Sequence, residues 1–136
     1  MSVFIDTSAF LAVLDADDRY HLKAKKEWIR LVQSGEKLFC NNYVLVESFA
    51  LIQHRLGMEA VKAFQEDILP VVEIGWIAEE DHRKSVREFL TVGRRKLSLV
   101  DCVSFHTMKK MNIKTAFTLQ LLNISPASPR MTLEVK

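Results

Sequence analysis

The sequence predicts an α/β protein, a three-layer α/β/α sandwich built on a central, mostly parallel sheet. Short apolar segments of strand length alternate with amphipathic helical segments along most of the chain. This alternation is typical of parallel sheets, because parallel strands are joined through crossover helices. The 136 residues, of which 49% are hydrophobic and 26% charged, also fit one globular domain with its own core.

Four segments are predicted as strands, at residues 2–5, 37–40, 71–74 and 115–119. The first is apolar, is too short for a helix and ends at Asp6. Six helices are predicted between them, at residues 8–14, 21–32, 43–56, 59–68, 79–90 and 98–111. Several helix ends carry suitable residues, with Asn41-Asn42 to cap the third helix, Gly57 to end it and Pro70 to stop the fourth.

The rest of the chain is predicted to add no second domain. A Ser/Pro-rich loop is expected at residues 121–130 and a short edge strand at 131–135, and no internal repeat or dividing linker occurs. Residues 1–136 are therefore predicted to form a single domain, of which residues 121–136 are an atypical tail.

Several features favour a cytoplasmic protein with no membrane association. No apolar run approaches the roughly 20 residues that a membrane span needs. The strand-like start lacks the basic and apolar regions of a secretory signal. Cys40 and Cys102 stand in apolar surroundings without zinc-site spacing, as expected of buried thiols in a reducing compartment.

The charge is unevenly distributed along the chain. Residues 1–82 hold 8 basic and 14 acidic residues, a net −6, whereas residues 83–114 hold 9 basic and 2 acidic residues, a net +7. A basic block beside an acidic half is what a phosphate-binding face near a carboxylate cluster would produce. Such runs are, however, more often solvated helix surfaces.

Three acids stand among apolar neighbours, at positions that a parallel sheet would bring together. Asp6 follows the first strand, Glu47 lies on the helix after the second strand, and Asp101 lies near the start of the last helix. Functional groups of open parallel sheets gather beyond the carboxyl ends of the strands. Converging carboxylates would repel by roughly 4 kcal/mol per close pair at an effective dielectric near 20. A hard dication such as Mg²⁺ or Mn²⁺ resolves that conflict.

Each acid also has a purely structural interpretation. Asp6 could be a turn residue or could cap the following helix. Glu47 could pair with a basic side chain, although none lies within one helical turn of it. Ser98 and Asp101 have the spacing of a capping box, in which the acid bonds back to the cap amide. The metal hypothesis therefore rests on the three acids as a set.

Short motifs occur in a characteristic order along the chain. They are Phe4-Ile5-Asp6-Thr7-Ser8-Ala9, Asp18-Arg19-Tyr20-His21, Asn42-Tyr43-Val44-Leu45-Val46-Glu47, Arg94-Arg95-Lys96-Leu97-Ser98-Leu99-Val100-Asp101 and Ala116-Phe117-Thr118. In order, spacing and total length, this series resembles the PIN-domain family, and within it the VapC-type toxin nucleases. The resemblance extends from residue 2 to about residue 119.

The resemblance implies a metal-dependent endoribonuclease that hydrolyses RNA phosphodiesters and acts as the toxin of a toxin–antitoxin pair. It also implies Mg²⁺ or Mn²⁺ as cofactor, a cognate antitoxin protein as partner and a homodimer. The basic block would position the RNA backbone, which confers affinity without sequence choice. The residues assigned in this way are Asp6, Glu47 and Asp101 as catalytic metal ligands, Thr7, Ser8, Thr118 and Gln120 as supporting polar groups, and Arg94, Arg95 and Lys96 as contacts to RNA.

The chain departs from the family at its fourth motif, where a further acid is usual and this sequence has Gln120. A neutral amide oxygen is a poorer metal ligand than a carboxylate. An alternative is therefore a catalytically weakened or inactive PIN-like module that binds RNA or an antitoxin. We expect a working but weakened site rather than an inactive one.

Two other classes that begin on a strand are disfavoured. A haloacid-dehalogenase-like phosphatase needs a second Asp two residues after the first, and position 8 is Ser. A flavodoxin-like or dinucleotide-binding domain would carry a glycine-rich first turn, and the turn at residues 6–9 contains no glycine.

Overall fold

The computed structural model describes residues 1–119. Gln120, the predicted loop at 121–130 and the predicted strand at 131–135 lie outside the described residues. Within the described part of the chain, no helix is both long enough and apolar enough to cross a membrane.

Residues 1–119 contain one sheet of four strands, in the order β3-β2-β1-β4, with every neighbouring pair parallel. The strands are β1 (Ser2–Ile5), β2 (Lys37–Asn41), β3 (Val72–Gly75) and β4 (Thr115–Phe117). Phe4 of β1 pairs with Phe39 of β2 on one side and with Ala116 of β4 on the other, and all three are buried. The predicted parallel sheet is confirmed.

Six α-helices flank the sheet within the same residues. They are α1 (Thr7–Leu14), α2 (His21–Gln33), α3 (Asn42–Leu56), α4 (Met58–Ala63), α5 (Glu79–Val92) and α6 (Leu99–Lys110). The predicted helix at 59–68 is divided, because α4 gives way to a π-helical turn (Phe64–Ile68) and then to a 3-10 turn (Leu69–Val71). Pro70 lies in that last turn, where it has no amide hydrogen with which to continue a helix. The three-layer α/β/α sandwich is otherwise as predicted.

An aromatic cluster joins three helices in the core. Phe10 of α1 contacts Phe64 and Trp28 edge-to-face, with ring centroids 5.0 and 6.2 Å apart. Phe49 of α3 packs on Phe64 at 5.1 Å. Such pairs contribute about 0.5–1.5 kcal/mol each beyond the area that they bury. The cluster therefore holds α3 against α1 and fixes the helix that carries Glu47.

The two cysteines are inert components of the core. Cys40 and Cys102 are buried free thiols. Burial raises the pKa of Cys40 to about 12 and that of Cys102 to about 11. Both thiols are therefore protonated at neutral pH, and the protonated form is the unreactive one.

Because the strands are parallel, their carboxyl ends meet at one edge of the sheet. Asp6 follows β1, Asn41 ends β2 and Thr118 follows β4. The backbone N of Asp6 donates to Phe117 O at 3.1 Å, which extends the β1–β4 ladder one residue beyond β1. Any site that these strands share therefore lies at this edge.

Candidate active site

A cavity of about 460 Å³, here called the carboxylate cavity, lies at this edge of the sheet. Asp6, Glu47 and Asp101 all line it, although they come from three separate stretches of sequence. Asp6 lies at the end of β1, Glu47 on α3 and Asp101 in the first turn of α6. The fold therefore brings the three predicted carboxylates to one place.

Asp6 is the most deeply buried of the three carboxylates, at 7% exposed. Its Oδ2 accepts hydrogen bonds from Ser8 Oγ and from Thr118 Oγ1, each at 3.0 Å. The two hydroxyl oxygens are themselves 3.1 Å apart, and the backbone N of Leu119 donates to Ser8 Oγ. Burial raises the pKa of Asp6, and the hydrogen bonds from the two hydroxyls oppose that rise. Ser8 and Thr118 thus contact the carboxylate that they were expected to support.

Thr7 and the second carboxylate, Glu47, line the cavity together. The Thr7 hydroxyl accepts a hydrogen bond from Ser48 Oγ at 3.2 Å. Burial is the main cause of the raised pKa of Glu47, and the nearby charges of Asp6 and Asp101 raise it further. The three carboxylates therefore repel one another across the cavity, and a bound cation would relieve that repulsion.

Asp101 also has the structural role that the sequence allowed as an alternative. The backbone N of Ser98 donates to Asp101 Oδ2, and the backbone N of Asp101 donates to Ser98 Oγ, both at 3.0 Å. This capping box stabilises the start of α6. The same side chain lines the carboxylate cavity, and its charge contributes to the raised pKa of Asp6. Capping the helix and facing the cavity are therefore compatible.

The cavity is lined by carboxylate oxygens, which are the type of ligand that Mg²⁺ and Mn²⁺ prefer. Within residues 1–119, no group of three or more His, Cys, Asp or Glu side chains is arranged so that it could hold a metal ion by itself. Mg²⁺ usually keeps several waters and is bound directly by only one or two carboxylates. The donor set therefore fits an ion that is held partly through water.

The cavity has further lining residues to which the sequence analysis assigned no role in the site. They are Asp18, Arg19, Tyr20, Leu11, Leu51 and Arg55. Arg55 lies two helical turns after Glu47 with Leu51 between them, and this spacing places all three on one face of α3. That periodicity could have identified Arg55. The guanidinium of Arg19 lies over the Tyr20 ring, 4.8 Å from its centroid, and no sequence pattern indicated this contact.

The three basic residues predicted to contact RNA divide between two surfaces. Lys96 lines the carboxylate cavity, whereas Arg94 and Arg95 line a neighbouring groove between the end of α5 and the start of α6. Ser98 borders both the cavity and the groove. The sequence predicted one phosphate-binding patch, and the fold directs its members to adjacent sites.

Known proteins share this architecture. The profile of the PIN domain matches residues 3–119. The 23S rRNA-specific endonuclease VapC20 of Mycobacterium tuberculosis is 28% identical over 116 residues, which are 85% of this chain and 86% of VapC20. The crystal structure of VapC20, described as a sarcin–ricin loop cleaving toxin, matches with a TM-score of 0.75 over 87% of this chain and 89% of that one. VapBC2 of Rickettsia felis, bound to promoter DNA, shares the fold at 13% identity, with a TM-score of 0.66 over 88% and 89% of the two chains.

Proposed function

Because the chain belongs to the PIN-domain family, we propose that it is a metal-dependent endoribonuclease and the toxin of a toxin–antitoxin pair. The observation that carries the proposal is one cavity that holds both carboxylates and cations. The carboxylates are those of Asp6, Glu47 and Asp101, and the cations are those of Arg19, Arg55 and Lys96. The carboxylates would bind a dication and the cations an RNA phosphate. The activity of VapC20 on 23S rRNA supports RNA as the substrate class.

The three carboxylates are the groups proposed to hold the metal, directly or through its bound waters. A divalent cation bound there would polarise a phosphoryl oxygen and lower the pKa of an attacking water. Ser8 and Thr118 hydrogen-bond Asp6 and therefore orient this carboxylate before substrate arrives. Groups that are already oriented need no reorganisation during the reaction, which is how fixed charges contribute most to rate.

The three cations of the cavity would orient the RNA. Arg19 comes from the segment before α2, Arg55 from the end of α3 and Lys96 from the segment before α6. Cations on separate elements can hold separate phosphates, which fixes the direction of the strand past the carboxylates. Phosphate contacts of this kind position the backbone and add affinity without reading base sequence.

The test is cleavage of an RNA hairpin that carries the sarcin–ricin loop, with Mg²⁺ or Mn²⁺ and again after chelation with EDTA. We expect cleavage that EDTA abolishes and that Asp6→Asn, Glu47→Gln and Asp101→Asn each slow by at least about 100-fold. Asp67→Asn is the matched control, because Asp67 is an exposed acid on the π-helical turn and does not line the cavity. Full activity of the three variants, or cleavage in EDTA, would refute the proposal.

A second candidate function is favoured by one observation, the neutral Gln120 in place of the family's fourth acid. In that case the chain would bind RNA or an antitoxin without turnover. Measuring RNA binding beside cleavage separates the two candidates. Binding without cleavage in both Mg²⁺ and Mn²⁺ would favour the inactive module.

The proposed partners follow from family membership. We propose a cytoplasmic homodimer that is bound by a small antitoxin protein. Strongly exposed apolar side chains support a partner surface, since such groups are often covered by another chain. Among the most exposed are Leu22 and Trp76.

A further inference from the structure

We propose that the groove beside the carboxylate cavity binds an unpaired nucleobase next to the scissile phosphate of the RNA. This inference rests on the proposed endoribonuclease function of the cavity. The groove, here called the base groove, has a volume of about 460 Å³ and lies between the end of α5 and the start of α6. Its main lining residues are Phe89, Leu90, Leu97, Leu99, Arg94 and Arg95.

The lining of the base groove combines an apolar surface with a cationic rim. Phe89 and Leu97 are half-buried, and Leu90 is 70% exposed although it is apolar. A nucleobase has an apolar face that stacks on aromatic rings, and in an RNA strand its ribose is joined to a phosphate on either side. The groove matches both parts, because Phe89 offers a ring and Arg95 offers a charge close to it.

The base groove is continuous with the proposed cleavage site. Ser98 borders both the groove and the carboxylate cavity, and Lys96 lines the cavity from the same segment of chain. A strand whose phosphate lies at Lys96 would therefore have a neighbouring base within reach of the groove. Recognition of unpaired RNA bases uses this kind of arrangement, in which a base is turned out of its stack and held against apolar or aromatic side chains.

The charge of the groove favours RNA over a protein segment. Among the described residues that line the groove, the charged ones are Arg94 and Arg95. A cationic lining complements phosphates. A bound protein helix would instead need an apolar groove that accepts side chains over several turns. The apolar surface here comes from a few residues around one loop.

The test is an abasic scan of the sarcin–ricin hairpin, in which each unpaired base in turn is replaced by an abasic site. Affinity is measured by anisotropy in Mg²⁺ with Asp6→Asn protein, so that the RNA stays intact. One abasic position should weaken binding by about tenfold or more. In Asp6→Asn protein that also carries Leu90→Glu, binding of the intact hairpin should be weakened by a similar factor. The abasic site at that one position should then cause no further loss of affinity, because both changes disrupt the same interaction.

The variants are chosen so that a folding defect cannot mimic the result. Leu90 is mostly exposed, so the fold does not depend on it. Val71→Glu is the matched control, because Val71 is an exposed apolar residue just before β3, at the opposite edge of the sheet. The control should leave the entire scan unchanged.

The remaining outcomes overturn the inference in distinguishable ways. If the wild type cleaves the hairpin but the scan is flat, or if Leu90→Glu has no effect, the base groove does not hold a base and the nuclease proposal stands. If Leu90→Glu weakens self-association and leaves RNA affinity unchanged, the groove is a protein contact. If the wild type neither binds nor cleaves RNA, the proposed function and this inference both fail.

Discussion

Replacing Asn41 with Ala should destabilise the protein well beyond an ordinary polar substitution. Asn41 is fully buried at the end of β2. Its Oδ1 accepts from the backbone N of Val44 at 2.9 Å, and its Nδ2 donates to Thr107 Oγ1 at 3.1 Å. One side chain therefore caps α3, which carries Glu47, and joins it to α6, which carries Asp101.

The magnitude follows from which groups lose a partner in the Ala variant. Val44 is the third residue of a helix, so its amide hydrogen has no acceptor within the helix. Because Val44 is buried, leaving that donor unsatisfied costs about 1–3 kcal/mol. Thr107 Oγ1 still donates to Val103 O at 2.8 Å, so the second loss is one hydrogen bond of about 1 kcal/mol. We expect about 3 kcal/mol in all, or a fall of roughly 10 °C in Tm.

Urea and thermal unfolding followed by circular dichroism measure this loss. Asn42→Ala is the matched control, because Asn42 Oδ1 accepts from the backbone N of Ile77 at 2.8 Å but is only half-buried. Water can replace that acceptor, so the control should lose about 1 kcal/mol or less. Equal losses in the two variants, or a loss below about 1 kcal/mol for Asn41→Ala, would refute the reasoning.

Four further measurements test the metal site, the basic residues and the assembly. Metal-free Asp6→Asn should melt above the wild type at pH 7, because burial raises the folded pKa of Asp6 and stability is lost as pH rises through it. The difference in melting temperature should disappear in acid, below the pKa of Asp6 in the unfolded chain. A difference that does not change with pH would contradict this explanation. The combined substitution Arg94→Ala, Arg95→Ala and Lys96→Ala should flatten the dependence of RNA affinity on salt. The slope of log affinity against log salt concentration should fall by about 0.7 for each phosphate that is no longer neutralised. An unchanged slope would mean that the three residues face solvent and do not contact RNA. Gln120→Asp should tighten Mg²⁺ binding in calorimetry and speed cleavage, and equal metal binding would make position 120 irrelevant. Light scattering should give a homodimer, and a monomer throughout the micromolar range counts against it.

The sheet and most helices were predictable because their signals are local. Val3, Phe4 and Ile5 are all buried, and a short, wholly apolar run is what a strand covered on both faces requires. The division of the helix at 59–68 was not predicted. Its π-helical turn places Phe64 against Phe10 and Phe49, which come from other helices, and no pattern within residues 59–68 describes those neighbours.

The acids of the candidate site stood out in the sequence because a carboxylate in an apolar run is costly unless something compensates it. The cations did not stand out in the same way. Arg19 and Arg55 are both exposed, and it is the fold that assigns them to the site, because they line the same cavity as Glu47. Lys96 and Arg95 are adjacent in sequence yet line different surfaces. Local patterns report how each residue partitions between water and core, whereas the meeting of distant side chains depends on how helices and loops pack along the whole chain.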